Sequence, residues 1–217
     1  LFNNRIYGLT KGQYSPTSEQ GKVTKSTPFG SLDHPFNPVS LALGADASFV
    51  ARTIDSDRKH LTSVLRAAAD HQGAAFIEIY QNCPIFNDDA FEPLKDVASA
   101  GERLIRLEHG APVRFGPEGS KGLRFGRHGE LEAVDAEGAD PDTLITHDAH
   151  RPDPSYAFAL SRLDAADFRH TPVGVFRQTE QPSYDRLMAE QIAAARARSG
   201  PGDLSALLAG HDTWEVS

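Results

Sequence analysis

The sequence is poor in cysteine, in long apolar runs and in clustered basic charge. Its 217 residues include a single Cys, and the formal net charge is -8. One cysteine cannot form an internal disulfide, so a reducing cytoplasm is the expected compartment. No apolar run approaches the roughly 18 residues of a membrane-spanning helix. Lys and Arg never occur more than two in a row, which disfavours a protein that binds nucleic-acid phosphates.

The composition that remains is that of a globular protein. Hydrophobic residues make up 39% of the chain and charged residues 24%, and 217 residues are enough to bury a substantial core. The sequence begins with Leu1 and Phe2, which read as the end of a buried strand, and it has no starting Met. We therefore expect the chain to be the C-terminal part of a longer polypeptide.

The first hundred residues predict a parallel α/β arrangement. Asn37 and Pro38 are typical of the start of a short helix that Gly44 ends, and residues 47–52 follow as a strand. A second helix is expected from a cap at Asp55 or Ser56 to Gly73, followed by a strand at 74–80. The stripe expected to be buried on this helix comprises Leu61, Val64, Leu65 and Ala68. Strand, helix and strand in this order favour a βαβ unit of a parallel sheet.

The second half of the chain is more charged and richer in glycine turns. We expect residues 1–100 to be the C-terminal part of a cofactor-binding α/β domain and residues 101–217 to be a C-terminal α+β extension. The strands predicted in this half are 103–107, 112–115, 122–126, 131–134 and 172–176. The predicted helices are 154–163, 182–198 and 203–209.

The opening loop carries the strongest chemical signal. Asn4 offers a neutral side-chain oxygen, and the backbone carbonyl of Ile6 lies two residues further on. Such oxygens suit a hard divalent ion such as Mg²⁺, and Gly8 allows the backbone to approach a phosphate closely. A solvated, asparagine-rich turn explains the same residue types equally well.

Cys83 follows the strand predicted at 74–80, and the loop after Leu1–Phe2 follows another strand end. Ligands of parallel sheets collect at the carboxyl ends of the strands, so both segments are expected at one edge. A lone cysteine is most often an inert apolar residue, but Cys83 stands after its strand, between Asn82 and Pro84. The segment "HDAH", with His147 and His150, lacks a second ligand pair for zinc and predicts a solvated loop.

The motifs together resemble one known family. "FNNRIYGLTKGQYSPTSE" is similar to the second half of the thiamine-diphosphate motif in β subunits of 2-oxoacid:ferredoxin oxidoreductases, and most similar to actinobacterial-type enzymes that use 2-oxoglutarate. The resemblance continues through "KVTKSTPFGSLDHPFNPVSLALGA", "NCPIFNDDAF", "DPSYAFALSRL" and "HDTW", so it covers essentially the whole chain. It implies a thiamine-diphosphate-binding α/β fold.

The resemblance also implies roles for individual residues. Asn4 matches a Mg²⁺ ligand that binds through its side chain, and Ile6 matches one that binds through its carbonyl. Lys11 matches the lysine that meets the substrate carboxylate, and Cys83 matches the fourth thiolate of a [4Fe–4S] cluster. The residues assigned to thiamine diphosphate are Gly8, Leu9 and Thr10. In the family, the acidic Mg²⁺ ligand and the other three cysteines precede this loop, and this sequence does not contain them.

The implied activity is oxidative decarboxylation of 2-oxoglutarate with coenzyme A, giving succinyl-CoA and CO₂ and reducing ferredoxin. The implied partners are an α subunit, in a dimer of αβ pairs, and ferredoxin, and the α subunit is expected to supply the glutamate that activates the cofactor. Two alternatives stay open: the substrate is pyruvate or a range of 2-oxoacids, or the chain is a non-catalytic assembly subunit of the same fold.

Overall fold

The computed structural model describes residues 1–8, 12–163, 168–211 and 214, which fall in two compact units, Leu1–Glu180 and Gln181–Ser217. Leu9, Thr10 and Lys11, to which the resemblance assigns roles, lie outside the described residues. None of the described helices has both the length and the apolar character needed to cross a membrane.

Among the described residues of the first unit, eight strands form two sheets. The strands are β1 (Phe2–Asn3), β2 (Phe49–Ile54), β3 (Ala75–Tyr80), β4 (Leu104–Leu107), β5 (Arg114–Phe115), β6 (Lys121–Phe125), β7 (Leu131–Asp135) and β8 (Thr171–Gln178). The larger sheet has the order β1-β3-β2-β8-β4, and the smaller has the order β5-β6-β7. Strands from both halves of the sequence therefore share the larger sheet, and the domain boundary expected at residue 100 stays a prediction.

The larger sheet is mixed but rich in parallel pairs. β3 pairs in parallel with both β1 and β2, which confirms the predicted βαβ unit and the strand end at Leu1–Phe2. β8 runs antiparallel to β2 and parallel to β4. The carboxyl ends of β1, β2 and β3 therefore meet at one edge of the sheet, where the sequence predicts the site.

The part of the chain that the structure describes also contains six helices and short 3₁₀ turns at Glu92–Leu94, Pro117–Gly119 and Pro141–Thr143. The helices are α1 (Pro38–Gly44), α2 (Arg58–Asp70), α3 (Val97–Arg103), α4 (Ser155–Ser161), α5 (Tyr184–Ser199) and α6 (Leu204–Ala209). The three helices predicted in the second half correspond to α4, α5 and α6, the last two lying in the second unit. α3 was not predicted, because its sequence "VASAGER" has no apolar stripe.

The short helix α1 begins as the sequence predicts. Asn37 is its N-cap, and the side chain of this residue accepts a hydrogen bond from the backbone N–H of Ser40 at 3.0 Å. Pro38 occupies the first helical position, where the missing N–H removes no helical bond. The Asn37 side chain also donates to the backbone oxygen of Ser161 at the end of α4, at 2.7 Å. One side chain thus fixes both the start of α1 and its contact with α4.

The predictions for α2 are wrong in two details. Its N-cap is Asp57, which accepts from the backbone N–H of His60 at 3.1 Å, and not Asp55 or Ser56. The Asp55 carboxylate instead accepts from the backbone N–H of Asn82 and ties the end of β2 to the end of β3. Within the predicted stripe, Val64 is buried, whereas Leu65 is 43% exposed. The buried face of α2 is therefore narrower than the sequence pattern predicts.

The core lies on both faces of the larger sheet. All six residues of β2 are buried, as expected for a central strand that is covered on both sides. Val50 packs in one cluster with Val39 and Leu43 of α1 and with Leu160 of α4. Phe49 and Ala51 point the other way, into a cluster with Val64 of α2. The two helix layers hold β2 rigidly, and with it the edge where β1, β2 and β3 end.

His147 is buried, which corrects the prediction that "HDAH" is a solvated loop. The side chain of this residue is 1% exposed, and its Nε2 lies 2.8 Å from the carbonyl oxygen of Val175 in β8. A carbonyl only accepts, so Nε2 carries the proton and Nδ1 accepts from the Tyr156 hydroxyl at 3.1 Å. Burial lowers the pKa of His147 below its ordinary value and raises the pKa of Tyr156. The neutral histidine thus joins the loop to both β8 and α4.

This burial predicts a loss of stability at acidic pH. The unfolded chain takes up the proton near pH 6.5, whereas folded His147 resists it, so stability present above about pH 6.5 falls as the pH is lowered. We expect His147→Ala to flatten the pH dependence of the melting temperature between pH 5 and 7. The change also leaves the Tyr156 hydroxyl and the Val175 carbonyl without this partner, at about 1 to 3 kcal/mol of unfolding free energy.

His128→Ala serves as the control, because His128 is an exposed turn residue. It should leave the thermal unfolding profile unchanged at every pH. Some pH dependence remains in the His147 variant, since burial, assisted by the nearby Arg106, also lowers the pKa of His60. An unaltered pH profile in His147→Ala would show that the histidine is not held neutral in the fold.

Candidate functional site

Three strand ends meet at the carboxyl edge of the larger sheet. In the parallel registers, Tyr80 of β3 is opposite Asn3 of β1 on one side and Ile54 of β2 on the other. The backbone N–H of Gln81 donates to the Asn3 carbonyl at 3.0 Å, and that of Asn82 donates to the Asp55 carboxylate at 3.0 Å. The opening loop and the segment around Cys83 therefore leave the sheet side by side, as the sequence predicts.

The opening loop is shaped by two successive asparagine turns. The Asn3 side-chain oxygen accepts from the backbone N–H of Arg5 at 3.1 Å, and the Asn4 oxygen accepts from that of Ile6 at 3.3 Å. Between them, Arg5 has a positive φ of 54°. Residues other than glycine and asparagine rarely adopt this conformation. The Arg5 guanidinium lies 4.0 Å from the centre of the Phe168 ring. These contacts define the conformation of the chain before it reaches Gly8.

A buried polar network fixes the loop to the sheet. Glu78 of β3 and Arg52 of β2 are cross-strand neighbours, each 1% exposed, and Arg52 Nε donates to the Glu78 carboxylate at 2.7 Å. The other Glu78 oxygen accepts from the Asn3 side chain at 2.7 Å. The Asn3 side-chain oxygen accepts in turn from the Thr17 hydroxyl at 2.7 Å. An ion pair inside the sheet thus determines where the asparagine loop begins.

The two residues Tyr7 and Gln13 are paired with each other. Tyr7 and Gln13 form an antiparallel bridge, in which the Tyr7 N–H donates to the Gln13 oxygen at 2.7 Å and the Gln13 N–H donates to the Tyr7 oxygen at 3.1 Å. Gly12 has a φ of 99°, and a Cβ there would lie 3.2 Å from the Phe86 ring. The loop therefore closes against Phe86, and residue 12 is restricted to glycine by both its backbone and its neighbour.

The segment after β3 forms a tight turn that carries Cys83. The backbone N–H of Asn87 donates to the Cys83 carbonyl at 2.9 Å, and the two residues form an isolated antiparallel bridge. The Asn82 side chain closes the wider loop, because it donates to the Asp88 carboxylate and accepts from the backbone N–H of Asp89. Cys83 is half-buried and free of any disulfide. We call residues 82–89 the cysteine turn.

Asn87 joins the cysteine turn to the opening loop, and the sequence did not single it out. Its side chain is 7% exposed and donates to the backbone carbonyl of Asn4 at 2.8 Å. Its side-chain oxygen accepts from the Lys22 ammonium at 2.6 Å. In the sequence, an asparagine that lies four residues after a cysteine and three after a proline is indistinguishable from an ordinary turn residue. Only the fold brings it to Asn4, which is 83 residues away.

The donor atoms of the opening loop fit a magnesium ion. The Asn4 side-chain oxygen has a second lone pair beyond the one that accepts from Ile6, and in the described part of the chain nothing donates a hydrogen bond to the Ile6 carbonyl. Neutral amide and carbonyl oxygens are ligands that Mg²⁺ accepts. If Mg²⁺ binds here, the two residues would supply part of its octahedral shell.

Cys83 could serve only as one of several ligands of an iron–sulfur cluster. A [4Fe–4S] cluster takes four thiolates, and the sequence has one cysteine. The described residues hold no group of three or more His, Cys, Asp or Glu side chains that could bind a metal ion. Both sites therefore need further ligands from outside these residues.

Comparison with known proteins agrees with this geometry. Residues 1–79 match the family model described as "Thiamine pyrophosphate enzyme, C-terminal TPP binding domain". The chain is 57% identical, over its whole length, to the 2-oxoglutarate oxidoreductase subunit KorB of Mycobacterium tuberculosis. It is 45% identical over 88% of its length to a 2-oxoacid:ferredoxin oxidoreductase subunit beta of Saccharolobus solfataricus. Over its whole length, the chain is thus similar to part of the β subunits of 2-oxoacid:ferredoxin oxidoreductases.

A solved structure shows the same relationship at the level of the fold. The 2-oxoglutarate:ferredoxin oxidoreductase of Magnetococcus marinus, with 2-oxoglutarate, coenzyme A and succinyl-CoA bound, is 25% identical to this β-subunit homologue. It superposes with a TM-score of 0.61 over 95% of the present chain and 55% of the solved one. The present chain spans 58% and 52% of the lengths of the two relatives named above. The expected thiamine-diphosphate-binding α/β fold is confirmed.

The buried ion pair makes a prediction about stability. Glu78→Gln keeps the shape of the side chain but removes the carboxylate charge that lies 2.7 Å from the buried Arg52 guanidinium. Breaking a buried ion pair by altering one partner costs about 3 to 5 kcal/mol. We expect that loss of unfolding free energy in chemical denaturation of the variant.

The double variant Glu78→Gln/Arg52→Met is the matched control, because it removes both charges. Replacement of both charged partners is tolerated better than removal of one, so the double variant should be more stable than Glu78→Gln. If the double variant is less stable than the single one, the pair does not act through compensated charge.

Proposed function

We propose that this chain is the cofactor-loop part of a 2-oxoglutarate:ferredoxin oxidoreductase β subunit. The proposed reaction converts 2-oxoglutarate, coenzyme A and two oxidised ferredoxins into succinyl-CoA, CO₂, two reduced ferredoxins and a proton. The observation that supports it most is the direct bond between the Asn4 loop and the cysteine turn, through Asn87. The 57% identity to a 2-oxoglutarate oxidoreductase subunit supports the substrate.

Two groups in the proposed site are not made by the chain itself. When bound, thiamine diphosphate would supply the nucleophile that attacks the 2-oxo carbon, and a [4Fe–4S] cluster would remove the electrons one at a time. The family match supports thiamine diphosphate. Mg²⁺ and the iron–sulfur cluster are proposals that rest on the donor atoms of Asn4, Ile6 and Cys83.

Each segment of the site has a defined task in this proposal. Asn4 and Ile6 hold Mg²⁺, and Gly8, Leu9 and Thr10 contact the diphosphate through the loop that closes at Tyr7 and Gln13. Lys11 binds the substrate carboxylate, since an ammonium group is a compact charge that reaches a carboxylate without a fixed fork. Cys83 holds iron on the neighbouring turn. An α subunit completes the cofactor site, in a dimer of αβ pairs in the cytoplasm, and ferredoxin accepts the electrons.

The role of Lys11 gives a test of substrate recognition. Lys11→Ala removes the charge that faces the substrate carboxylate, so we expect the KM for 2-oxoglutarate in the αβ complex to rise more than tenfold. The Kd for thiamine diphosphate should stay within about twofold, because the change leaves the loop backbone intact. Steady-state ferredoxin reduction and cofactor titration measure the two quantities, with pyruvate as a comparison substrate.

Lys25→Ala is the matched control, because Lys25 is an exposed lysine on the same long loop. It should leave both constants at parental values. An equal KM for 2-oxoglutarate in Lys11→Ala and Lys25→Ala would remove the assigned role of Lys11. Turnover of pyruvate in preference to 2-oxoglutarate by the parental complex would replace the proposed substrate.

The role of Cys83 gives a test of the electron path. Cys83→Ser in the full-length subunit, purified anaerobically with its partner, replaces a thiolate by a poor ligand for iron. We expect iron and acid-labile sulfide to fall and ferredoxin reduction to be lost, while thiamine diphosphate still binds. Parental iron and sulfide contents in this variant would return Cys83 to an inert residue of the turn.

A further inference from the structure

Asn87 contacts three separate parts of the chain at one point. Its side-chain N–H donates to the carbonyl of Asn4, and its side-chain oxygen accepts from Lys22. Its backbone N–H donates to the carbonyl of Cys83. The residue is 7% exposed, so these bonds are largely shielded from water. Asn4 and Cys83, which carry proposed metal ligands, are thus both hydrogen-bonded to Asn87.

The chemistry of the three contacts requires an amide at this position. The Asn4 carbonyl only accepts and the Lys22 ammonium only donates, so the two ends of the Asn87 side chain are not interchangeable. The Glu19 carboxylate holds the same ammonium at 3.0 Å, which keeps Lys22 in place. A carboxylate would face the Asn4 carbonyl with a second acceptor, and an apolar side chain would satisfy neither partner.

A second contact within the cysteine turn supports the same connection. Phe86, the neighbour of Asn87, packs its ring against the opening loop at Gly8 and Gly12, where added Cβ atoms would lie 3.7 and 3.2 Å from the ring. The turn that carries Cys83 therefore holds the opening loop at two points, one polar and one apolar. A movement of the turn would therefore disturb both of these contacts with the loop.

We propose that Asn87 is a positioning residue that sets the Asn4 peptide for Mg²⁺ and holds the Cys83 turn in fixed register with it. The inference rests on the proposed function, because that function supplies the ions at both sites. Asn87 touches neither ion and acts through Asn4 and Cys83. Removal of such a supporting hydrogen bond typically weakens metal binding about tenfold to hundredfold.

The test uses the anaerobically purified αβ complex with the full-length β subunit. Asn87→Leu has similar size and no charge, and removes the bonds to Asn4 and Lys22. We expect the Mg²⁺ concentration needed for half-maximal thiamine diphosphate binding, measured by calorimetric titration, to rise about tenfold to hundredfold. Asn4→Ala, which removes the proposed ligand itself, should raise it at least as much. Melting temperatures of all variants show whether the fold is retained.

Lys22→Met is the matched control. It removes the bond from Lys22 to the Asn87 oxygen and the ion pair with Glu19, and leaves the bond between Asn87 and Asn4 in place. Its Mg²⁺ requirement should stay within about threefold of the parental value, a smaller change than loss of a direct supporting bond gives. An equal rise in Lys22→Met and Asn87→Leu would make Asn87 a general structural residue and overturn the inference.

Iron release provides a second readout that does not depend on turnover. Asn87→Leu should retain its iron on purification but lose it faster to a chelator, because only the Phe86 contact then holds the cysteine turn to the opening loop. If Asn87→Leu binds Mg²⁺ more weakly but releases iron at the parental rate, Asn87 supports only Asn4, and the link to Cys83 is overturned. If the parental complex binds no thiamine diphosphate, the proposed function itself fails. A parental Mg²⁺ requirement in Asn87→Leu overturns this inference alone.

Discussion

The buried ion pair between Arg52 and Glu78 is the constraint on which the site depends. A carboxylate and a guanidinium inside a sheet lose their hydration, so they persist only with close partners. Arg52 satisfies one Glu78 oxygen, and the other remains for a donor at the strand end. The Asn3 side chain provides that donor and thereby places the loop that follows. The start of the loop is therefore fixed by a charge pair in the sheet.

The topology of the sheet places the loop that begins at Asn3 beside the ends of β2 and β3. β1, β2 and β3 are parallel, so their carboxyl ends lie together, and the backbone at each end is bonded to its neighbour. Asp55 illustrates the effect, because its carboxylate joins the ends of β2 and β3 where the sequence pattern assigns it to a helix cap. Residues far apart in sequence then meet at this edge.

The sequence predicted most of the regular elements, but not α3 and not the contacts between the elements. Asn4, Ile6 and Cys83 were found from residue type and from a family resemblance, and the strand order placed them at one edge. Asn87 and Glu78 were missed because a turn asparagine and a strand glutamate carry no local signal of their partners. The same limit explains His147, whose burial depends on β8 and α4 and not on its neighbours in "HDAH". Long-range hydrogen bonds are a property of the fold.

The proposed ligands of the two metal sites are incomplete sets, so each site would need further ligands from outside these residues. Asn4 and Ile6 bring neutral oxygens, so any negative charge that balances Mg²⁺ comes from the cofactor diphosphate and from other ligands. Cys83 brings one thiolate of four. Each site is thus a partial shell on a rigid edge, and its completion requires that edge to be held at a fixed distance from the groups that supply the rest. A cysteine turn bonded directly to the opening loop meets that requirement for both shells at once.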